Sequence, residues 1–286
     1  MSGSAATDAK ATGQPDGQPD VRTDGKSAAT CWLKPGYTLA PTFLRSHAIK
    51  RKDGRPTDHI RPIKFTRSFA SAAIGSVLAE SGGTRVLCTV SYQDQVPTWM
   101  TNQRGAWLTA EYSMLPGSTM PRKQRERNNK VDGRSLEIGR LIGRSLRCAV
   151  DLKKLPEITL WVDCDVIAAD GGTRTTAING SYVALYDALL WLENKKIVKQ
   201  WPLLCGISAI SVGLIDGAPL VDLDYQVDAR ADVDMTVVCT DDDRFVEVQG
   251  AAEKTPFAHE QLTRLLELGK LGNAGVQAAQ RDVLGL

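Results

Sequence analysis

Ile158-Thr159-Leu160-Trp161-Val162-Asp163-Cys164-Asp165-Val166 runs through Ile167 and Ala168 into Ala169-Asp170-Gly171-Gly172-Thr173-Arg174-Thr175-Thr176. In the first part Ile158, Leu160, Val162, Cys164 and Val166 alternate with Thr159, Trp161, Asp163 and Asp165. A period of two is that of a strand with one buried face. The double glycine ends it, and an apolar stretch over residues 173–194 predicts a long helix. A strand entering a glycine turn that opens a helix is a natural anion cradle. Glycine lets backbone N–H groups come close, and the helix start offers unpaired donors and the positive dipole end. Thr173 adds a hydroxyl, and Arg174 a planar fork suited to phosphate oxygens. The competing reading is an ordinary turn, capped by Thr173, that binds nothing.

Upstream, Ile63 and Phe65 alternate with Lys64 and Thr66 as a short strand. Residues 75–80 and 85–92 read as strands of a hairpin joined through Ser81-Gly82-Gly83-Thr84. Residues 93–130 read as irregular, with Pro97, Gly105, Pro116, Gly117 and Pro121. Residues 135–152 predict a helix whose apolar side is Ile138, Leu141, Ile142, Leu146, Ala149 and Val150, with Arg140, Arg144 and Arg147 opposite. Downstream, 207–215 and 220–225 predict strands, as do 234–240 and 244–249, followed by two helices at 258–268 and 274–284. Mixed order of this kind predicts an α+β sandwich with helices packed on sheets, and its two hairpin-led halves suggest a duplication.

The chain has 286 residues, 42% hydrophobic and 24% charged, which is globular composition. Lys plus Arg is 35 and Asp plus Glu 33, for a net charge of +2, so a nucleic acid would need a local basic patch. Residues 1–50 are expected to form a disordered extension, with residues 51–286 as one catalytic domain. No apolar run is long enough for a membrane span, and the polar N-terminus does not resemble a secretory leader. The six cysteines include no C-x-x-C pair, and reduced thiols in a cytoplasmic protein are expected.

Three further groups carry chemistry. Arg134 follows Asp132-Gly133 at the start of the arginine-bearing helix, where a cation opposes the dipole unless an anion sits there. Asp222, Asp224, Asp228, Asp232 and Asp234 span strand ends and a loop, and can converge on Mg²⁺ or supply a general acid; solvated turn charge explains two or three of them. Arg122, Lys123, Arg125, Arg127 and Lys130 make a cationic loop, which Arg104 could join, suited to phosphate backbone or to solubility alone. Together these point to phosphoryl-transfer chemistry on a polyanion.

The chain resembles the ribonuclease PH family over residues 55–280. The likeness is carried by Gly75-Ser76-Val77-Leu78, Thr84-Arg85-Val86-Leu87-Cys88-Thr89, Leu108-Thr109-Ala110-Glu111-Tyr112-Ser113-Met114-Leu115-Pro116, Asp163-Cys164-Asp165-Val166, Ala169-Asp170-Gly171-Gly172-Thr173-Arg174-Thr175, Asp234-Met235 and Glu247-Val248-Gln249-Gly250-Ala251-Ala252-Glu253. The resemblance implies the duplicated βαβα-type ribonuclease PH fold (ribosomal protein S5 domain 2-like), with helices against mixed sheets. It implies a phosphorolytic 3′→5′ exoribonuclease, a nucleotidyltransferase that trims tRNA precursors with inorganic phosphate and releases nucleoside diphosphates. Phosphate is implied at Arg134, Gly172, Thr173 and Arg174. Asp228 and Asp234 are implied as the catalytic pair and as holders of Mg²⁺. RNA contact is implied for Arg122 and Arg125, and is expected of Arg104 and Arg127 beside them. A homo-hexamer, a trimer of dimers, is implied. Gly117 stands where the family often has another arginine, and the loop before Arg134 is about one residue short. The alternatives are a catalytically silent RNA-binding subunit of an exosome-like ring and a hydrolytic, metal-dependent nuclease.

Overall fold

The computed structural model describes residues 51–101, 103–126 and 132–286. The expected extension, residues 1–50, lies outside them.

Two sheets organise the chain. The first holds five strands: β1 (Ile63–Arg67), β2 (Gly75–Ser81), β3 (Thr84–Gln93), β4 (Trp107–Met114) and β5 (Thr159–Ala168), in the order β1-β2-β3-β5-β4. The β2–β3 hairpin closes on Ser81 paired with Thr84, so Gly82-Gly83 is its two-residue turn. All neighbours are antiparallel except β4 and β5. Parallel neighbours need a crossover, and α1 (Gly133–Ala149) supplies it. The second sheet is antiparallel: β6 (Ile207–Ile215), β7 (Ala218–Val221), β8 (Val233–Thr240) and β9 (Phe245–Ala252), in the order β7-β6-β8-β9.

Helix α2 (Thr173–Asn194) contacts β2 and β3 of the first sheet and β6 of the second. That position explains its apolar character on every side. Asn179 ties it to β6 through both ends of its amide, donating to the Ala209 carbonyl (2.9 Å) and accepting from the Ala209 N–H (2.7 Å). Helix α4 (His259–Leu284) covers the second sheet against β6, β7 and β8. The predicted α+β arrangement of helices against mixed sheets is therefore observed.

Three local expectations are corrected. Residues 93–130 are not all irregular, because β4 lies within them. Its buried Leu108 and Tyr112 alternate with half-exposed neighbours, but flanking glycine and prolines hide the pattern. The strand expected at 220–225 stops at Val221, and residues Tyr225–Asp228 form a short helix, α3, capped by the Asp224 carboxylate. The two expected C-terminal helices are one. Gly269 and Gly272, which lie between the two expected helices, face the sheet: a Cβ at Gly269 would come within 2.9 Å of Val237, and one at Gly272 within 2.6 Å of Val221. Glycine there permits close packing, and the gain offsets its poor helix propensity.

Candidate active site

Strand β5 delivers the chain to Gly171 and Gly172, both left-handed (φ 73° and 66°). A Cβ on Gly171 would lie 2.5 Å from the Leu223 carbonyl oxygen. The turn thus abuts the loop after β7, bringing the end of the first sheet to the acid-bearing segment of the second. Gly172 is the N-cap of α2 and no side chain caps that helix, so the reading of Thr173 as a cap is corrected. The first-turn N–H groups have no intrahelical partners and remain available to an anion.

Thr173 has another partner. Tyr112 on β4 is buried, and its hydroxyl lies 2.8 Å from Thr173 Oγ1. Burial pushes the phenol up from its usual range, although the Thr173 hydrogen bond and the charges of Arg134 and Arg174 oppose the shift. Arg174 is largely enclosed, with loose contacts to Gln249 Oε1 (3.5 Å) and Glu137 Oε1 (3.7 Å). Arg134, in the first turn of α1, comes from the other side. Asp132 caps that helix, its Oδ1 accepting from the Arg134 N–H at 3.3 Å.

From the first half of the chain, Met114, Thr119, Arg134, Gly172, Thr173 and Arg174 line a cleft of about 670 Å³. From the second half, Asp228, Asp234, Glu253 and Lys254 line the same cleft. Asp228 ends α3 and Asp234 lies at the start of β8. Among the described residues neither carboxylate has a hydrogen-bonded or ion-paired side-chain partner. Burial, reinforced by the neighbouring Asp228 charge, pushes Asp234 up to about 6, against the pull of Arg174 and Arg134. Asp228 is also raised, chiefly by burial, with the same two arginines opposing. Guanidinium groups and carboxylates therefore feel one another across the cleft, and the space between them suits a phosphoryl group.

The other three aspartates point away from the cleft's chemistry, but the expectation of solvated turn charge is corrected for Asp222, which is 2% exposed. Asp222 is buried against Arg61 and Arg55, Asp224 caps α3 by accepting from the Gln226 and Val227 N–H groups, and Asp232 lies 3.8 Å from Lys254. The basic loop begins beside the cleft at Thr119. Arg122 and Arg125 are exposed on it, whereas Lys123 is paired with Asp132. Arg127 lies outside the described residues. Arg104 is exposed beyond the opposite end of β4 from Met114 and does not line the cleft. Arg147 is not grouped with the exposed Arg140 and Arg144: it stacks on Trp107 at 4.7 Å and donates to the Leu108 carbonyl.

Sequence reasoning missed Arg61, Tyr225, Glu253 and Lys254. Glu253 and Tyr112 lie inside the motifs quoted above, yet nothing in their spacing marks a role. Arg61 carries no local pattern, and only folding places it beside Asp222.

Among known sequences, the 3′ exoribonuclease family, domain 1, matches residues 59–190, and domain 2 of the same family matches residues 206–272. Ribonuclease PH of Corynebacterium efficiens is 51% identical over 240 residues, covering 84% of this chain and 98% of that protein. Ribonuclease PH of Corynebacterium glutamicum is 50% identical over 242 residues, covering 84% and 99%. Among solved structures, the RNA-bound Archaeoglobus fulgidus exosome aligns with a TM-score of 0.70 and 22% identity over 80% of this chain and 92% of that one. Rice Rrp46 aligns at 0.66 and 21%, over 82% and 100%. At such identities these two structures speak to the fold alone.

Proposed function

This chain belongs to the 3′ exoribonuclease family, alongside proteins named ribonuclease PH, and we propose that it shortens RNA from the 3′ end by phosphorolysis. The enzyme is a phosphate-dependent 3′→5′ exoribonuclease of the nucleotidyltransferase type, and its substrates are the 3′ ends of tRNA precursors. The observation that carries the chemistry is that Arg134, Thr173 and Arg174 line one cleft together with Asp228 and Asp234.

Inorganic phosphate binds at the start of α2, taking N–H donors from the turn, the Thr173 hydroxyl and the two guanidinium groups. One of its oxygens attacks the phosphorus of the last phosphodiester. The bond from that phosphorus to the 3′ oxygen of the penultimate nucleotide breaks, and a nucleoside diphosphate leaves. The departing 3′ oxygen takes a proton, which Asp234, raised to about 6, is suited to supply. A phosphodiester is exchanged for a phosphoanhydride, so the reaction runs in reverse when diphosphates are abundant. Positioning and charge neutralisation do most of the work.

Alternatively, with Asp234 ionised and not the proton donor, the acidic residues fit Mg²⁺. Asp228 and Asp234 present unspent carboxylate oxygens, the donors a hard cation takes. No cluster of three or more acidic, His or Cys ligands occurs among the described residues, so phosphate oxygens and water would complete the shell. Bound there, Mg²⁺ would neutralise charge on the reacting phosphates. The exposed loop arginines, Arg122 and Arg125, grip the RNA on the 5′ side of its reacting end. Exposed Phe245 and Val248 on the edge strand β9 support assembly, for which we take the homo-hexamer, a trimer of dimers. The free thiols of Cys88, Cys148, Cys164, Cys205 and Cys239 fit a reducing, cytoplasmic setting. No described helix is long and apolar enough to cross a membrane.

The test is purified protein with 3′-extended tRNA, labelled at its terminal nucleotides, with and without inorganic phosphate. Nucleoside diphosphates that appear only with phosphate are expected. Monophosphates without phosphate would indicate hydrolysis, and RNA binding without products would indicate a silent ring subunit; either overturns the proposal.

A further inference from the structure

Strand β4 runs parallel to β5, so the two strands finish side by side, and Tyr112 near the end of β4 reaches the turn that follows β5. The Tyr112 hydroxyl is enclosed, and Thr173 Oγ1 is its hydrogen-bond partner among the described residues. Thr173 Oγ1 in turn has no other among the described residues. Two hydroxyls in contact share one hydrogen bond, and its direction is decided by chemistry. A phenol is more acidic than an aliphatic alcohol and is the better donor, so Tyr112 gives its proton and Thr173 accepts. Thr173 then keeps its own proton for a third group. It lines the cleft beside Arg174 and Arg134, where a phosphate oxygen is the acceptor that would meet it.

We propose that Tyr112 is a positioning residue: by donating to Thr173 Oγ1 it fixes the Thr173 hydroxyl as a donor to the phosphate that attacks RNA. This rests on the phosphate site described above and assigns it one further residue. Without the phenol O–H, the Thr173 hydroxyl is free to rotate and to turn lone pairs toward the anion. The raised pKa of the buried phenol keeps the donor protonated at neutral pH.

The experiment compares wild type, Tyr112→Phe, Thr173→Val and the double variant in phosphorolysis, varying phosphate and RNA separately, with thermal unfolding to verify that each folds. Tyr112→Phe removes one oxygen and keeps the ring. The KM for phosphate is expected to rise about three- to tenfold, the size of one lost hydrogen bond, with kcat and the KM for RNA little changed. In the Thr173→Val background the second substitution should add nothing further. An equal rise in both backgrounds, or a fall in kcat alone, overturns the inference in favour of general loosening. A phosphate KM raised by Thr173→Val but not by Tyr112→Phe overturns it while leaving the phosphate site intact. If neither variant moves that KM, the role of Thr173 in the site fails first, and that of Tyr112 with it.

Discussion

Arg61 and Asp222 form a buried pair joining the two halves of the cleft. Arg61 Nη2 lies 2.7 Å from Asp222 Oδ1, and the Arg61 N–H donates to Asp222 Oδ2 at 2.6 Å. The same guanidinium donates to the Asp170 carbonyl at 2.5 Å. One side chain thus holds the phosphate-side turn and the segment that leads to Asp228. Asp222 itself is left-handed (φ 55°), and its carbonyl oxygen accepts from Arg51 and Arg55.

Asp222→Ala should therefore cost stability as well as activity. Removing one partner of a buried pair leaves an uncompensated charge, at about 3–5 kcal/mol. Burial alone would raise the Asp222 carboxyl, but Arg61 overcomes it and holds the group below its ordinary value. A carboxylate depressed in the folded state adds stability above its unfolded value, near 4, and loses it as pH falls through the folded value. Urea unfolding at pH 7 should show the large deficit, and at pH 3 a smaller one. Equal deficits would mean that the charge is not what matters.

Asp234→Asn should abolish turnover yet leave the protein more stable at neutral pH. Its carboxyl titrates near 6 in the fold and near 4 when unfolded. Folding therefore disfavours the charged form, and the penalty grows between those values and stays above them. The amide removes it, for a gain of up to about 3 kcal/mol at pH 7 and none below pH 4. Thermal unfolding at both pH values, beside an assay at saturating phosphate, reads both effects. Mg²⁺ should raise the Tm of the wild type at pH 7.5, less at pH 5.5 as protons compete, and not that of the variant.

Gly171→Ala should damage the site through backbone geometry. The residue is left-handed, and its Cβ would press on Leu223 O, Asp224 C and Tyr225 N, at 2.5, 2.7 and 2.7 Å. None of these is a flexible side chain, so the loop leading to Asp228 must move. Gly217 is left-handed as well (φ 76°), with nothing within 4 Å. Gly217→Ala should carry the strain of about 1–2 kcal/mol and keep its activity. Similar kcat values for the two variants would refute the contact argument.

The cations should separate by ligand. Arg134→Ala should raise the KM for phosphate about tenfold or more, as for a charged hydrogen bond, with the KM for RNA nearly unchanged. Arg122→Ala with Arg125→Ala should do the reverse and flatten the salt dependence of RNA binding. A phosphate KM unmoved by Arg134→Ala would remove that residue from the site.

Local chemistry was enough to read much of this protein from its amino acids. The period of two in β5, the helical spacing of Ile138, Leu141, Ile142 and Leu146, and the Gly171-Gly172-Thr173-Arg174 turn each need only neighbouring residues to be understood. Long-range packing decided the rest. The break expected between residues 268 and 274 is absent because Gly269 and Gly272 pack closely on the sheet. Which of five aspartates faces the arginines depends on the Arg61 brace and the path of the loop after Val221. Tyr112 meets Thr173 only because two distant strands end together. Hydrogen bonds and desolvation act between atoms that folding brings into contact, and sequence spacing does not encode those distances.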